Sequence, residues 1–488
     1  MPYKKFIALV IAGALCLGAA VFADAQARTV GPFPALDEAI AAQMRKHALP
    51  GLSLVIIDRD GVRYLQSYGS AGNGRPMTPS TRMFIGSQSK SFTALAIAQL
   101  AEAGKLDLDA PVRRYIPWFA VADEAASQAI TTRHLMYHIS GLSDAGFPLI
   151  LPRSATLEQA VRSLRMARLS APVGERHQYF NLGYTVLSYL VELVSGQSYA
   201  EYLRDHIFTP LGMLDTTAEP EEAHGLAQGY SRLFGFNRPL RQKVPAYAVG
   251  AGYIVSTLED MARYARAMLN GAEGLVSPET AHMIFTPGPG HYGFGWFIYD
   301  GGATVLHGGA NETFRTDVNL YPREGRAFVM LVNQGHQFDH FISAGQLSKT
   351  VEAFARGRTP PPLGQGWSTR VMGHVLGALA LALAAFQARG LSRLRSWRRR
   401  AAAMSRAKRA LDIALSFAIP TAITAFVLVQ VKGFYGYRFN LWPTLAMLPS
   451  VLPDVFIIML LGTVPDYVQG VAKLIMAKRS PTSLDPRA

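Results

Sequence analysis

Three apolar runs near the end of the chain, Val371–Phe386, Ile413–Val431 and Leu445–Val464, limit its folding more than any other feature. A helix of about 20 apolar residues matches the hydrocarbon thickness of a bilayer. The runs predict transmembrane helices over 367–388, 411–431 and 443–464. They divide the chain into a membrane part and a water-facing part. The first run is short, but Trp367 can seat it at the interface. Pro449, Pro453 and Asp454 interrupt the third. An ionisable residue in mid-span is costly and by default a functional hint. The reading taken for Asp454 is plainer: the prolines open the helix and let it reach water or a helix partner.

The net charge of +14 raises the question of nucleic acid, and its distribution removes it. From Trp367 onward there are 16 Lys/Arg against 4 Asp/Glu. Lys4 and Lys5 supply the rest of the excess, so the stretch between is balanced and implies no basic face. Nine Lys/Arg and no acid fall within 389–409, in the loop 389–410 between the first two spans. Positive loops stay in the cytoplasm. Everything before 367 is therefore expected on the far side. The tail 465–488, with Lys473, Lys478 and Arg479, is expected back inside.

The N-terminus agrees. Residues 1–25 have the layout of a secretory signal: Lys4-Lys5, the apolar stretch Phe6–Phe22, and Ala23-Asp24-Ala25 as a small-x-small cleavage site. Cleavage is the expectation and an uncleaved anchor the alternative; either carries the water-facing part out of the cytoplasm. Leu15 directly before Cys16 argues against a lipoprotein signal. Cys16 is the only cysteine. The mature chain then needs no disulfide and has no thiol nucleophile or cysteine zinc site.

The water-facing part, 28–357, ends at a Pro-rich linker, 358–366. Pro34–His47 has helical periodicity. Gly51–Asp58 and Val62–Tyr68 read as a hairpin, with the turn at Asp58–Gly61. A helix comes next, ending at Gly104, where glycine is the expected stop. Thr156–Leu214 is mostly helical by period, and Thr257–Asn270 is a helix capped by Thr257. Short strand patterns return at Phe294–Tyr299, Thr304–Leu306, Thr316–Leu320 and Ala327–Val332, before a closing helix at Phe341–Ala355. Strands at both ends with helices between predict an α/β (α+β) domain. Its antiparallel sheet is flanked by helices and carries an inserted helical subdomain.

Candidate chemistry starts at Ser87 and Lys90. Three residues apart at a helix start, they share a face. A serine hydroxyl needs a neighbouring base, and a lysine serves only if burial lowers its pKa. The pattern is commonplace: Ser405-Arg406-Ala407-Lys408 repeats it inside the basic loop, where catalysis makes no sense. His134 and His138 have the i, i+4 spacing of a zinc pair, but no glutamate lies between them and no third ligand is evident. They read as part of a packed helix ending at Ser140-Gly141-Leu142, and His336 with His340 is read the same way. No metal and no cofactor are expected.

Ser87-Gln88-Ser89-Lys90, Tyr179-Phe180-Asn181 and His307-Gly308-Gly309 stand in this order. With the surrounding stretches Phe84–Leu100, Leu135–Leu142, Tyr179–Glu192, Ile207–Thr217 and Tyr292–Phe297, the chain from Leu36 to Ala355 resembles the serine beta-lactamase-related hydrolases. These include class C beta-lactamases, D-Ala-D-Ala carboxypeptidases, D-aminopeptidases and related esterases. The resemblance implies an acyl-enzyme on Ser87, with Lys90 and Tyr179 sharing proton traffic. Asn181 would orient Lys90 and the substrate amide, and the oxyanion would be held by backbone N–H groups of Ser87 and Ala310. Gly308 and Gly309 would let substrate backbone lie against their strand. The third motif departs from the Lys-Thr-Gly usual in lactamases. His307-Gly308-Gly309 offers neither cation nor hydroxyl for a carboxylate, which lowers the case for penicillin hydrolysis.

With its three spans the chain also resembles membrane-bound periplasmic peptidases that remove an N-acyl-D-amino-acid cap from prodrugs. The expectation is a serine hydrolase at a bacterial inner membrane, facing the periplasm. It would act on a small peptide, amide or ester and contact lipid through three helices. A D-Ala-D-Ala carboxypeptidase, a cap-removing peptidase and an esterase or weak beta-lactamase all stay open. So does a penicillin-binding sensor domain. The oligomeric state is left open.

Overall fold

A computed structural model describes residues 33–144, 146–147, 149–336, 344–362, 368–434, 448–449 and 452–478. The expected signal segment, Cys16, His340, Trp367 and residues 479–488 lie outside the described residues. The water-facing part opens with α1 (Pro34–His47), β1 (Gly51–Asp58), β2 (Val62–Gly72), β3 (Arg75–Pro76) and β4 (Met83–Phe84). The helix α2 (Ser89–Glu102) is next, then α3 (Asn181–Ser195). After α3 come β5 (Tyr230–Leu233), β6 (Phe236–Pro239), β7 (Val255–Ser256), α4 (Leu258–Leu269) and β8 (Phe297–Tyr299). The part closes with β9 (Thr304–Ala310), β10 (Arg315–Tyr321), β11 (Arg326–Val332) and α5 (Ala344–Ala355).

Seven strands form one sheet in the order β3-β2-β1-β11-β10-β9-β8. Every pairing in it is antiparallel. The first hairpin and the last three strands are thus neighbours, as strands at both ends of the sequence require. β1 explains the architecture. Successive side chains of a strand point to opposite faces. Leu52, Leu54 and Ile56 pack with Leu36, Ile40, Leu347 and Val351 of α1 and α5. Val55 and Ile57 belong to the second core, with Phe92, Ile97, Met261 and Ala265 of α2 and α4. A strand covered on both faces needs a near-continuous apolar run, and β1 has one, its buried Ser53 paired with Ser67 at 2.8 Å. The inserted helical region, between α2 and β8, completes the larger core.

Two expectations change. The helix at Thr132 stops at Met136, and His138 lies past it with φ 55°. His134 instead closes a capping box with Thr131. The histidines therefore do not share a helix face, and a five-residue helix replaces the longer one expected. β9 runs on through His307 to Ala310, past the expected end at Leu306, because it stays in register with β10 up to the Ala310–Arg315 pair.

Beyond the linker stand α6 (Thr369–Leu394), α7 (Arg406–Phe434) and α8 (Pro453–Lys478). Each is long and apolar enough to cross a membrane. α6 and α8 both start against the water-facing part. Ser368 Oγ donates to Lys46 O at 2.7 Å, and the N–H of Phe234 donates to Asp454 Oδ1 at 2.7 Å. At the other end Trp397 Nε1 and Lys473 Nζ meet Asp412 at 2.8 and 2.9 Å, tying α7 to α8. The third helix lies later than the expected 443–464. Pro453 is its first residue, where a missing N–H costs nothing. Asp454 sits in the first turn rather than in mid-span. One partner of Asp454 is the backbone N–H of Phe234, in the turn between β5 and β6.

Candidate active site

Ser87 sits in a single 3₁₀ turn, Gly86–Gln88, that runs into α2. The turn is anchored on both sides. Ile85 N donates to Ile254 O at 3.0 Å. Ser89 Oγ donates to Gly86 O at 2.8 Å and accepts from Ile254 N at 3.1 Å. Gly86 has φ 56°, the left-handed region that glycine enters without strain. A Cβ there would also lie 2.4 Å from the Ala310 nitrogen. β9 therefore lies flush against the serine turn, with Gly309 and Ala310 on Gly86.

Lys90 is fully buried. Its Nζ reaches Ser87 Oγ at 3.3 Å, Asn181 Oδ1 at 2.8 Å and the Ala251 carbonyl. Three acceptors match the three N–H of an ammonium, so no buried donor is left unmade. Burial pushes its pKa down to about 7, with the charge of Asp144 pulling the other way. Nζ lies 4.8 Å from the centre of the Tyr179 ring. Tyr179 precedes α3, and Asn181 is the first residue of that helix, so one loop–helix junction delivers both. The Tyr179 ring is 4.4 Å from His138 and 6.4 Å from His307.

His307 is buried on β9. Its Nδ1 lies 2.7 Å from Gly308 O, which can only accept, so Nδ1 carries the proton. Nε2, 3.1 Å from Tyr292 OH, then accepts. Burial first, and the charge of Lys90 second, hold its pKa down to about 3. The ring is neutral and supplies no cation at that end of the site.

The two glycines after it differ. A Cβ on Gly309 would fall 1.9 Å from Ile85 O, whereas one on Gly308 would meet Asp317 Oδ1 at an ordinary 3.5 Å. Gly309 is thus demanded by the serine turn itself, before any substrate enters. The sequence reading assigned both to substrate backbone and missed this contact.

Residues of all three expected motifs come together around Lys90 and Tyr179. Two participants were not singled out from the sequence. The Ala251 carbonyl is backbone and carries no residue signature. Tyr292, fully buried, packs 6.2 Å from Tyr179 and holds His307; only its place in the aromatic stretch Tyr292–Phe297 hinted at it.

The sequence from 36 to 350 matches the Beta-lactamase family model. Penicillin-binding protein 4 of Amycolatopsis lactamdurans is 29% identical over 361 residues, 67% of this chain and 94% of that protein. The unguisins hydrolase ungD' of Aspergillus campestris is 30% identical over 325 residues, 61% of this chain and 60% of that protein. The chain likewise spans only 63% of the flp protein of Staphylococcus aureus. Among solved structures, the octameric penicillin-binding protein homologue from Pyrococcus abyssi superposes with a TM-score of 0.59. It is 29% identical and covers 67% of this chain and 78% of its own. Fold and sequence match agree: the chain belongs to the beta-lactamase family, with three apolar helices following the matched region.

Proposed function

We propose that this protein is a membrane-anchored hydrolase working through an acyl-Ser87 intermediate on the periplasmic face of a bacterial inner membrane. Its favoured substrates are peptides or amides containing a D-residue. The observation that carries the mechanism is the environment of Lys90. Neutral Lys90 has two N–H and one lone pair. Asn181 Oδ1 and Ala251 O can only accept, so they take the two N–H. The lone pair is left to face the Ser87 hydroxyl at 3.3 Å. With its pKa at about 7, a large fraction of Lys90 is neutral at working pH and can take the serine proton.

Ser87 Oγ then attacks the scissile carbonyl, whose oxygen receives the N–H of Ser87 and of Ala310. Tyr179, beside both Lys90 and the open side of the pocket, relays a proton to the departing nitrogen. Water enters by the same base and releases the acid. Asn181 orients Lys90 and the substrate amide.

The neutral His307 bears on substrate choice. A terminal carboxylate lying along β9 would meet no cation on that strand. This supports an internal amide or an ester over a D-Ala-D-Ala terminus or a penicillin, and makes esterase activity the second reading. The membrane placement rests on α6, α7 and α8, with the basic segment between α6 and α7 facing the cytoplasm.

The test is mass spectrometry of a substrate panel incubated with the full-length chain in detergent, with Ser87→Ala in parallel. The panel holds an N-acyl-D-asparaginyl amide, a D-aminoacyl amide, a D-Ala-D-Ala peptide, a short-chain ester and a cephalosporin. Release of acyl-D-amino acid by the native chain only is the expected result. Loss of terminal D-Ala would make it a carboxypeptidase despite His307. A lasting adduct on Ser87 without product would make it a sensor.

A further inference from the structure

The catalytic part meets the membrane helices at the β5–β6 hairpin. The N–H of Phe234, in its turn, donates to Asp454 at the start of α8. The Phe234 carbonyl lies 3.0 Å from His374 Nδ1 on α6. A Cβ on Gly373 would fall 2.2 Å from the Gly235 nitrogen, so helix and turn touch through bare backbone. Phe236 beside them is 59% exposed and packs edge-on to His374. The hairpin thus meets the first turns of α6 and α8, the level at which two apolar spans begin.

A cavity of about 140 Å³ opens at this level, between the hairpin and the start of α8 at Pro453. Arg153, Arg232, Arg238, Arg241 and Lys243 line it. Arg232 is buried and spends its guanidinium on Gln334 Oε1, His47 O and Gly235 O, as a structural member of the wall. Arg153, Arg238, Arg241 and Lys243 are exposed. Among the described residues, Arg238, Arg241 and Lys243 make no ion pair. Against these cations stands Glu312, which accepts from Gln242. The catalytic part carries almost no net charge, so this concentration of cations is local. Several unpaired cations around one polar cavity at headgroup depth are what a phosphate-bearing group needs.

We infer that this cavity binds the phosphate of an anionic lipid headgroup at the outer surface of the membrane. The cavity is joined to the candidate active site through the β9–β10 turn, where its lining residue Glu312 lies two residues past Ala310. A bound headgroup would therefore fix the height of Ser87 above the bilayer. The inference rests on the membrane placement proposed above for its ligand source, but on none of the acyl-transfer chemistry.

The test reconstitutes the full-length chain in nanodiscs of phosphatidylcholine with and without phosphatidylglycerol. Native mass spectrometry then counts the lipids kept on partial delipidation. The native chain is expected to retain phosphatidylglycerol in preference to phosphatidylcholine. The triple variant Arg238→Gln/Arg241→Gln/Lys243→Gln is expected to lose that preference, by roughly fivefold in affinity per charge removed. The variant Arg398→Gln/Arg399→Gln/Arg400→Gln, in the basic segment between α6 and α7, is expected to keep it. Thermal melting checks that each variant folds.

Equal retention by the native chain and the cavity variant overturns the inference. So does loss confined to the loop variant. A chain that never enters the nanodisc would sink the membrane placement instead, which keeps the two failures apart. Inorganic phosphate and glycerol 3-phosphate serve as competitors. Displacement by either leaves a soluble phosphate as the ligand and overturns the lipid source; failure to displace supports it.

Discussion

The chain contains the same four-residue pattern twice, and only one copy buries its lysine. Ser87 and Lys90 lie where a 3₁₀ turn enters a buried helix, and Lys90 is closed in by Asn181, Ala251 and Tyr179. Ser405 and Lys408 lie at the start of α7, both exposed; there the serine accepts the Lys408 backbone N–H at 3.3 Å, as an ordinary helix cap. The spacing is identical and the chemistry is not. A lysine becomes a base by losing water, and only the packing of other segments removes water from Lys90.

The largest expected effect breaks the comparison outright. Ser87→Ala should lower kcat on the amide substrate by about 10⁴-fold or more, and Ser405→Ala should leave it within error. Initial rates on both variants decide it, and comparable losses would end the assignment. Lys90→Met should cost about 10²–10⁴-fold, whereas Lys408→Met should cost nothing measurable.

A pH–rate profile sharpens the contrast further. Only neutral Lys90 accepts a proton, so kcat/KM should fall about tenfold per pH unit below its pKa and level off above it. The midpoint is expected at about 7. His307, held down to about 3, does not titrate in this range. His307→Asn should therefore leave the midpoint where it is; a moved midpoint would transfer the base to His307.

The smallest effect concerns the wall of the site. Gly309→Ala pushes a methyl into Ile85 O and should destabilise by about 1–3 kcal/mol. Gly308→Ala should stay within about 0.5 kcal/mol. Thermal melting of the pair measures the difference, and equal melting points would refute the inward contact of Gly309.

Much of the fold was legible because burial imposes period on sequence. α1 and β1 begin and end where the pattern puts them, at Pro34–His47 and Gly51–Asp58. Elements whose ends depend on distant partners were misjudged. β9 extends to Ala310 because β10 continues to pair with it. The third apolar helix starts at Pro453 because its first turn caps onto Phe234, and hydropathy does not record such a contact. His138 shows the same limit. Spacing suggested a shared face with His134, but the chain turns at positive φ and sends the ring onto Tyr179.

By itself the sequence determined the membrane-compatible helices, the two-sided strand β1 and the three motifs in their order. Those come from composition and period, which act along the chain. Tertiary structure alone decided which Ser-x-x-Lys is buried, that Ala251 O and Asn181 Oδ1 consume both N–H of a neutral Lys90, and that Gly309 serves the serine turn. It also gathered Arg238, Arg241 and Lys243 beside α8. Each of these depends on solvent exclusion and close approach between segments far apart in sequence, and a local pattern carries no term for either.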